Sequence, residues 1–327
     1  MLGALLALLS AATFAFNNAA ARRGVLSGSV LQAMAVSVPF GVPFFLVCLP
    51  IFGSFDDLWS FSWLDATWLA LAGIVHFVVG RYANYRSQKA IGANLTGPIQ
   101  DTNILVALAL AVWFLGEILT GPMVVGIVLV VLGPVLAFER PKPVSAASSR
   151  AVAFTPAYGE GFFYSAVSAI CYGVSPILVR FSLESGGLTL GRAVAAGLIS
   201  YAAATAVVFA AFVNPNAWRD LRTMRRGDFG WFALASVFVG IAQMTRYMAL
   251  ALAPVTIVAP MMRLTSIFRY YFSWILNREY ESFSRGVFVG TIVSLIGALI
   301  LAIGLETWVA VLPASDWLTR FLGWRFP

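Results

Sequence analysis

The chain has 327 residues, 60% of them hydrophobic and only 11% charged, and carries a net charge of +7 from 21 Lys and Arg against 14 Asp and Glu. A mean hydropathy of +0.87 excludes an ordinary soluble domain, in which about a quarter of the residues are charged to build a hydrated surface. The basic surplus lies mostly between apolar runs, where topology signals and anionic headgroups account for it, so membrane lipid is an expected partner and nucleic acid is not.

In chain order, apolar runs at 2–21, 30–52, 66–87, 93–115 and 120–138 approach the ~20 residues that a helix needs to cross the hydrocarbon layer. The first run lacks a basic start and is followed by Arg22 and Arg23, which predicts a spanning helix rather than a cleaved leader. A polar stretch from Glu139 to Ala157, rich in Pro, Ser and Ala, then divides the chain, and five more runs follow at 159–180, 187–213, 228–250, 255–276 and 285–305. Backbone in lipid must satisfy its own hydrogen bonds, which favours helices; barrel strands would be about half this length and alternate in polarity. Residues 306–327 are Trp-rich, and Trp317, Leu318, Phe321 and Leu322 share a helical face, which predicts a tail lying on the membrane interface. Cys48 and Cys171 sit in apolar runs of different halves and read as small buried hydrophobes, without a disulfide framework or a metal site.

The two halves echo each other. At an offset of 158, Ser10 meets Ser168 and Arg22 meets Arg180; at 162, Tyr85 meets Tyr247, Pro98 meets Pro260 and Glu117 meets Glu279. An odd number of helices per half forces the second half to insert upside down, which places a site near the midplane between the halves. The expected fold is therefore an all-α integral membrane protein of ten transmembrane helices in two inverted five-helix repeats. Residues 1–138 form the first repeat, 139–158 a polar linker, 159–305 the second repeat and 306–327 the interfacial tail.

The segment Gly80-Arg81-Tyr82-Ala83-Asn84-Tyr85, followed by Ala90-Ile91-Gly92-Ala93-Asn94, Pro98 and Trp113-Phe114-Leu115-Gly116-Glu117, resembles EamA-type members of the drug/metabolite transporter superfamily. Its echo runs from Tyr247 through Pro254 and Pro260 to Asn277-Arg278-Glu279, so the resemblance extends over nearly the whole chain. It implies ten helices, alternating access and the export or uptake of metabolites, without naming a substrate. It also implies both termini inside the cell. The charges point the other way: Arg22, Arg23, Arg81, Arg86, Lys89, Arg140, Lys142, Arg150, Arg219, Arg222, Arg225, Arg226, Arg278 and Arg285 fall on one side, against Arg180, Arg192, Arg320 and Arg325 on the other. The positive-inside rule puts the first set in the cytoplasm and both termini outside.

Polar side chains within the runs line up on helical faces, as a central wet cavity requires. His76, Gly80, Asn84 and Ser87 share one face, Asn94, Pro98 and Asp101 another with Gln100 beside them, and Gln243 and Tyr247 a third flanked by Arg246. Pro260, Arg263 and Tyr270 align with Arg269 adjacent, while the first and sixth runs add Asn17 and then Ser168, Tyr172 and Ser175. The predicted substrate-binding set is Asn17, His76, Asn84, Gln100, Asp101, Tyr172, Ser175, Gln243, Arg246, Tyr247 and Arg263. Asp101 and Arg263 are pseudo-equivalent at the 162 offset, which predicts that they pair in the empty protein and that substrate, or a proton on Asp101, separates them.

The Arg-rich lining suits a carboxylate or phosphate, with snorkelling of Arg246 and Arg269 toward headgroups as the competing role. His76, the sole histidine, has the chemistry of a proton relay or of a helix-to-helix hydrogen bond. No Gly-rich phosphate loop, no HExxH and no Cys/His cluster is present, so neither a cofactor nor a metal is expected and an enzyme is disfavoured. The expected function is a secondary transporter, multi-pass in a bacterial inner membrane. It moves a small metabolite with an anionic group: an amino acid, an organic acid or a phosphorylated metabolite. Efflux of cationic or hydrophobic drugs is the alternative, and a membrane-embedded enzyme the alternative from another class. Coupling to a proton or to an exchanged substrate, and the oligomeric state, stay open.

Overall fold

A computed structural model describes residues 2–115, 119–137, 156–183, 189–252, 261–281, 283–302 and 325–326. Its helices are α1 (Leu2–Ser27), α2 (Val30–Ser37), α3 (Gly41–Phe52), α4 (Trp63–Gly73), α5 (Arg81–Ile91), α6 (Ala93–Asp101), α7 (Asn103–Leu115), α8 (Gly121–Ala137), α9 (Tyr158–Leu183), α10 (Leu190–Ala211), α11 (Pro215–Arg222), α12 (Arg226–Leu252), α13 (Thr265–Asn277) and α14 (Arg285–Ala302). A helix occupies the described part of each of the ten apolar runs. Among the described residues, six helical stretches are long and apolar enough by themselves to cross a membrane: Leu2–Ser27, Val30–Phe52, Trp63–Ile91, Tyr158–Leu183, Leu190–Ala211 and Arg226–Ala249.

Four of the ten apolar runs are interrupted, three of them for a readable reason. Pro39 has no N–H to donate, and the chain turns at 38–40 between α2 and α3. Between α4 and α5 lies a π-helical turn, Ile74–Gly80, closed by the Arg81 N–H donating to the His76 carbonyl five residues back. Between α6 and α7 the helix breaks at Thr102, one turn after Pro98. A matching break at Leu264 separates the helical turn 261–263 from α13, and the two breaks are 162 residues apart, the offset of the sequence echo.

Packing is close where small residues permit it. Ala7, Ala11, Ala15 and Ala19 of α1 recur every four residues, all fully buried, and α1 lies along α12, where the Ser10 hydroxyl donates to the Ala242 carbonyl at 2.7 Å. Gly126 and Gly133 of α8 face the backbone of Gly297 and Gly290 of α14. These glycines thus serve packing within the chain. Outward faces carry large aliphatics such as Leu5, Leu9, Val128 and Val135, as lipid contact requires.

The all-helical expectation holds but for one short ladder, in which Leu119 and Thr120 pair antiparallel with Phe326 and Arg325. The rest of the expected tail, most of the linker, Glu117 and Pro260 lie outside the described residues.

Candidate binding cavity

A cavity of about 280 Å³ lies inside the helical bundle, where three of the interrupted stretches meet α1, α9 and α12. Its first wall is built on the π-helical turn. The wider turn carries His76 into the cavity, where the ring lies 4.5 Å from the Tyr172 ring. The His76 Nδ1 meets the Ser175 hydroxyl at 2.6 Å, and its Nε2 meets the Gln243 amide nitrogen at 3.1 Å. Since an amide NH2 only donates, Nε2 is the acceptor and Nδ1 carries the proton, so this geometry holds the neutral ring. One turn on, Arg81 is fixed by bonds to the Ser37 carbonyl at 3.0 Å and the Tyr201 hydroxyl at 2.9 Å. Its guanidinium lies 5.0 Å from the Phe77 ring centre and 5.5 Å from that of Tyr201, and no carboxylate accompanies it among the described residues.

The opposite wall stands on the two helix breaks. Asp101 ends α6 and Asn103 begins α7, while Arg263 precedes the Leu264 break. Asp101 accepts the Ser266 hydroxyl at 2.7 Å, and Arg263 donates to the Asn103 side-chain oxygen at 3.1 Å. The structure therefore gives Asp101 and Arg263 separate neutral partners across the cavity wall rather than the ion pair expected for the empty protein. Arg269, expected to snorkel, is instead only 6% exposed and lines the cavity. It lies against α6 where Gly97 leaves room, since a Cβ there would come within 2.5 Å of Arg269 Nη1.

On one side of the cavity the lining gives way to a layer of amides. The Asn18 side-chain oxygen accepts from Gln88 at 2.9 Å and from Asn84 at 3.3 Å, and Gln100 donates to Asn84 at 2.8 Å and to Ser168 at 3.0 Å. One turn further along α1, ~6 Å deeper, Arg22 forms a fully buried ion pair with Glu281 at 3.0 Å. Arg22 also donates to the backbone carbonyls of Gln88, Lys89 and Tyr280. Glu281 accepts the backbone N–H of Ala93 at 2.7 Å and of Asn94 at 2.9 Å, so it caps α6. Burial pushes the Glu281 carboxyl above the usual carboxylate range, while Arg22 and those two N–H groups pull against it. Beyond this pair, Lys89 donates to the Gly28 carbonyl, and Ser29 and Gln32 reach Asp220 of α11. These contacts tie the α1–α2 turn, the α5–α6 turn, the α13–α14 loop and α11 together and close that end of the bundle.

Nine of the eleven predicted residues line the cavity: Asn17, His76, Asn84, Gln100, Asp101, Tyr172, Gln243, Arg246 and Arg263. Ser175 stands behind His76 as its hydrogen-bond partner. Tyr247 packs instead with Leu69, Ala72, Val179 and Leu183, and serves as the ring under Arg246 at 5.2 Å. Omitted from the predicted set but present in the lining are Asn18, Arg81, Tyr85, Asn103 and Arg269. Arg81, Asn103 and Arg269 flank the polar faces of their runs and were legible as neighbours of the predicted set, although Arg81 was also tallied among the charges between runs. Glu281 had no signal, because nothing in its neighbourhood of sequence announces a cap on a helix nearly two hundred residues away.

Residues 1–138 match the model of the EamA-like transporter family. Chains of solved structures match as well; one, titled only "Crystal structure of protein", does so with a TM-score of 0.57 at 16% identity, covering 91% of this chain and 95% of that chain. Identity that low shows a shared fold and nothing of function. No curated protein matches.

Proposed function

We propose that this chain, whose residues 1–138 belong to the EamA-like transporter family of the drug/metabolite transporter superfamily, is a secondary transporter that carries a small metabolite with an anionic group by alternating access. The charge of the cavity carries this reading. Arg81, Arg246, Arg263 and Arg269 line it against a single acid, Asp101. Moreover, Nε of Arg246, of Arg263 and of Arg269, and Nη1 of Arg269, are buried and make no hydrogen bond among the described residues. Buried donors left unpaired are costly, and a carboxylate or phosphate satisfies guanidinium donors two at a time. The volume of about 280 Å³ suits a metabolite of modest size.

The architecture proposed for this carrier is ten spans in two inverted repeats, 1–138 and 159–305. The equal spacing of the helix breaks and of the sequence echo supports it. Broken helices meeting at mid-depth are where such folds place substrate. The end bearing Arg219, Arg222, Arg225 and Arg226 is assigned to the cytoplasm by the positive-inside rule, which puts the start of the chain outside.

Thermal unfolding of the purified protein with glutamate, succinate, phosphoenolpyruvate and tetraphenylphosphonium tests the substrate class. Stabilisation by one of the anions, lost in Arg263→Gln, is expected. Stabilisation by the organic cation alone overturns the reading in favour of drug efflux.

A further inference from the structure

Gln243 is joined to His76 by one end of its amide only. The other end, Oε1, is buried and has no partner among the described residues. An amide is amphoteric. Presented through its NH2 it holds a neutral ring, as the structure shows; turned half a revolution, it presents the carbonyl oxygen and accepts from a ring that carries a proton on Nε2. The Ser175 hydroxyl accepts from Nδ1–H in both states. The pair can therefore hold either charge state of His76 without moving a helix, which a histidine held only for structure does not need.

The surroundings decide when the second state is reached. The charged and titratable groups facing His76 are Arg81 and Tyr85 from α5, Tyr172 from α9 and Arg246 from α12. Among the described residues two cations and no acid stand on that side, and they oppose a third positive charge until an anion comes between them. The count is instructive. Four guanidiniums and one carboxylate leave the cavity lining with three surplus positive charges. A bound monoanion lowers this to two, and a proton on His76 restores three. Empty and loaded carriers then present the same charge to the membrane and can undergo the same rearrangement.

We propose that His76 and Gln243 form a proton site that fills together with the anionic substrate, so that a transported monoanion moves with a proton. The proton comes from water and binds the Nε2 lone pair; no covalent bond is broken. This rests on the anionic reading of the cavity, and the test separates the two.

Because the chain has one histidine, isotope-labelled histidine reports His76 alone in nitrogen NMR of the purified protein. Without anion the wild type should show the neutral Nδ1–H tautomer. Arg246→Gln removes one opposing charge and stands in for a bound anion; it should raise the ratio of protonated to neutral ring at a fixed pH, within about pH 5 to 8, by roughly tenfold. In Arg246→Gln/Gln243→Leu, where no carbonyl can turn to the ring, most of that gain should vanish. Glutamate, succinate or phosphoenolpyruvate, whichever stabilises the protein, should protonate the wild-type ring. A ring equally neutral in wild type and Arg246→Gln, or an Nε2–H tautomer, overturns the proposal. An anion that stabilises the protein while the ring stays neutral also overturns it, and leaves the anionic reading standing. Stabilisation by the organic cation alone removes that reading and the co-transport with it.

Discussion

Two buried clusters of arginine and acid sit a few helical turns apart and are treated by the fold in opposite ways. At the closed end, Arg22 and Glu281 satisfy each other and, between them, three backbone carbonyls and two backbone N–H groups. In the cavity, Arg246, Arg263 and Arg269 hold nitrogens without a hydrogen-bond partner among the described residues, and the nearby Asp101 is turned to a serine. Removing ions from water costs several kcal/mol each, and the interior returns it only where geometry and hydrogen bonds are complete. The first cluster meets that condition and the second does not. The contrast separates charge that holds the bundle together from charge held ready for a ligand.

The largest expected effect comes from breaking the satisfied cluster. Glu281→Ala leaves Arg22 as a buried unpaired cation and uncaps α6, and should destabilise the protein by about 3–5 kcal/mol, seen as a large fall in the thermal midpoint. The double change Arg22→Met/Glu281→Leu should fail to restore it, because the carbonyls of Lys89 and Tyr280 and the N–H groups of Ala93 and Asn94 lose these partners. Full recovery in the double variant would show that the pair matters only through its own charges, and the distinction between the two clusters would lose its basis.

A smaller effect is expected at the turn that brings α6 to Glu281. Gly92 has φ +87°, and a Cβ there would stand 2.7 Å from the Glu281 Oε2. Gly92→Ala should therefore cost about 1–2 kcal/mol, from backbone strain and from displacement of the carboxylate. A thermal midpoint equal to that of the parent would show that the Glu281 cap tolerates displacement.

What could be read from the sequence follows the same division. Apolar runs of spanning length reported every described helix except the short polar α11, because lipid forces the backbone to satisfy itself locally. Polar residues spaced along one helical face reported most of the cavity, since His76, Asn84, Gln243 and Arg246 each stand on a periodic pattern. Tyr247 obeyed the same periodicity and still went into the core, because its ring is apolar enough to fill the space beside Leu69 and Val179. The Arg22–Glu281 cluster escaped for another reason. Its bonds run between a spanning helix, two turns and a loop that meet only in the folded bundle, so no local pattern carries it.

The smallest effect on stability, and the one that best separates the clusters, is expected at Arg269. Its side chain is only 6% exposed, yet Nε and Nη1 have no hydrogen-bond partner among the described residues and Asp101, the acid of the cavity, bonds to Ser266. A buried arginine that secured the fold would resemble Arg22, and its loss would resemble that of Glu281. Arg269→Met keeps the length of the side chain against Gly97 while removing the charge and its unserved donors. The thermal midpoint of the empty protein should change little or rise, because a desolvation cost is relieved and no completed hydrogen bond at those two atoms is lost. The anion-dependent rise in the midpoint should shrink by the equivalent of about tenfold in affinity, as expected where a charged group loses a hydrogen-bonded partner. A steep loss of stability without ligand would place Arg269 with Arg22 among the groups that hold the bundle, and the cavity would then have one fewer cation to offer a substrate.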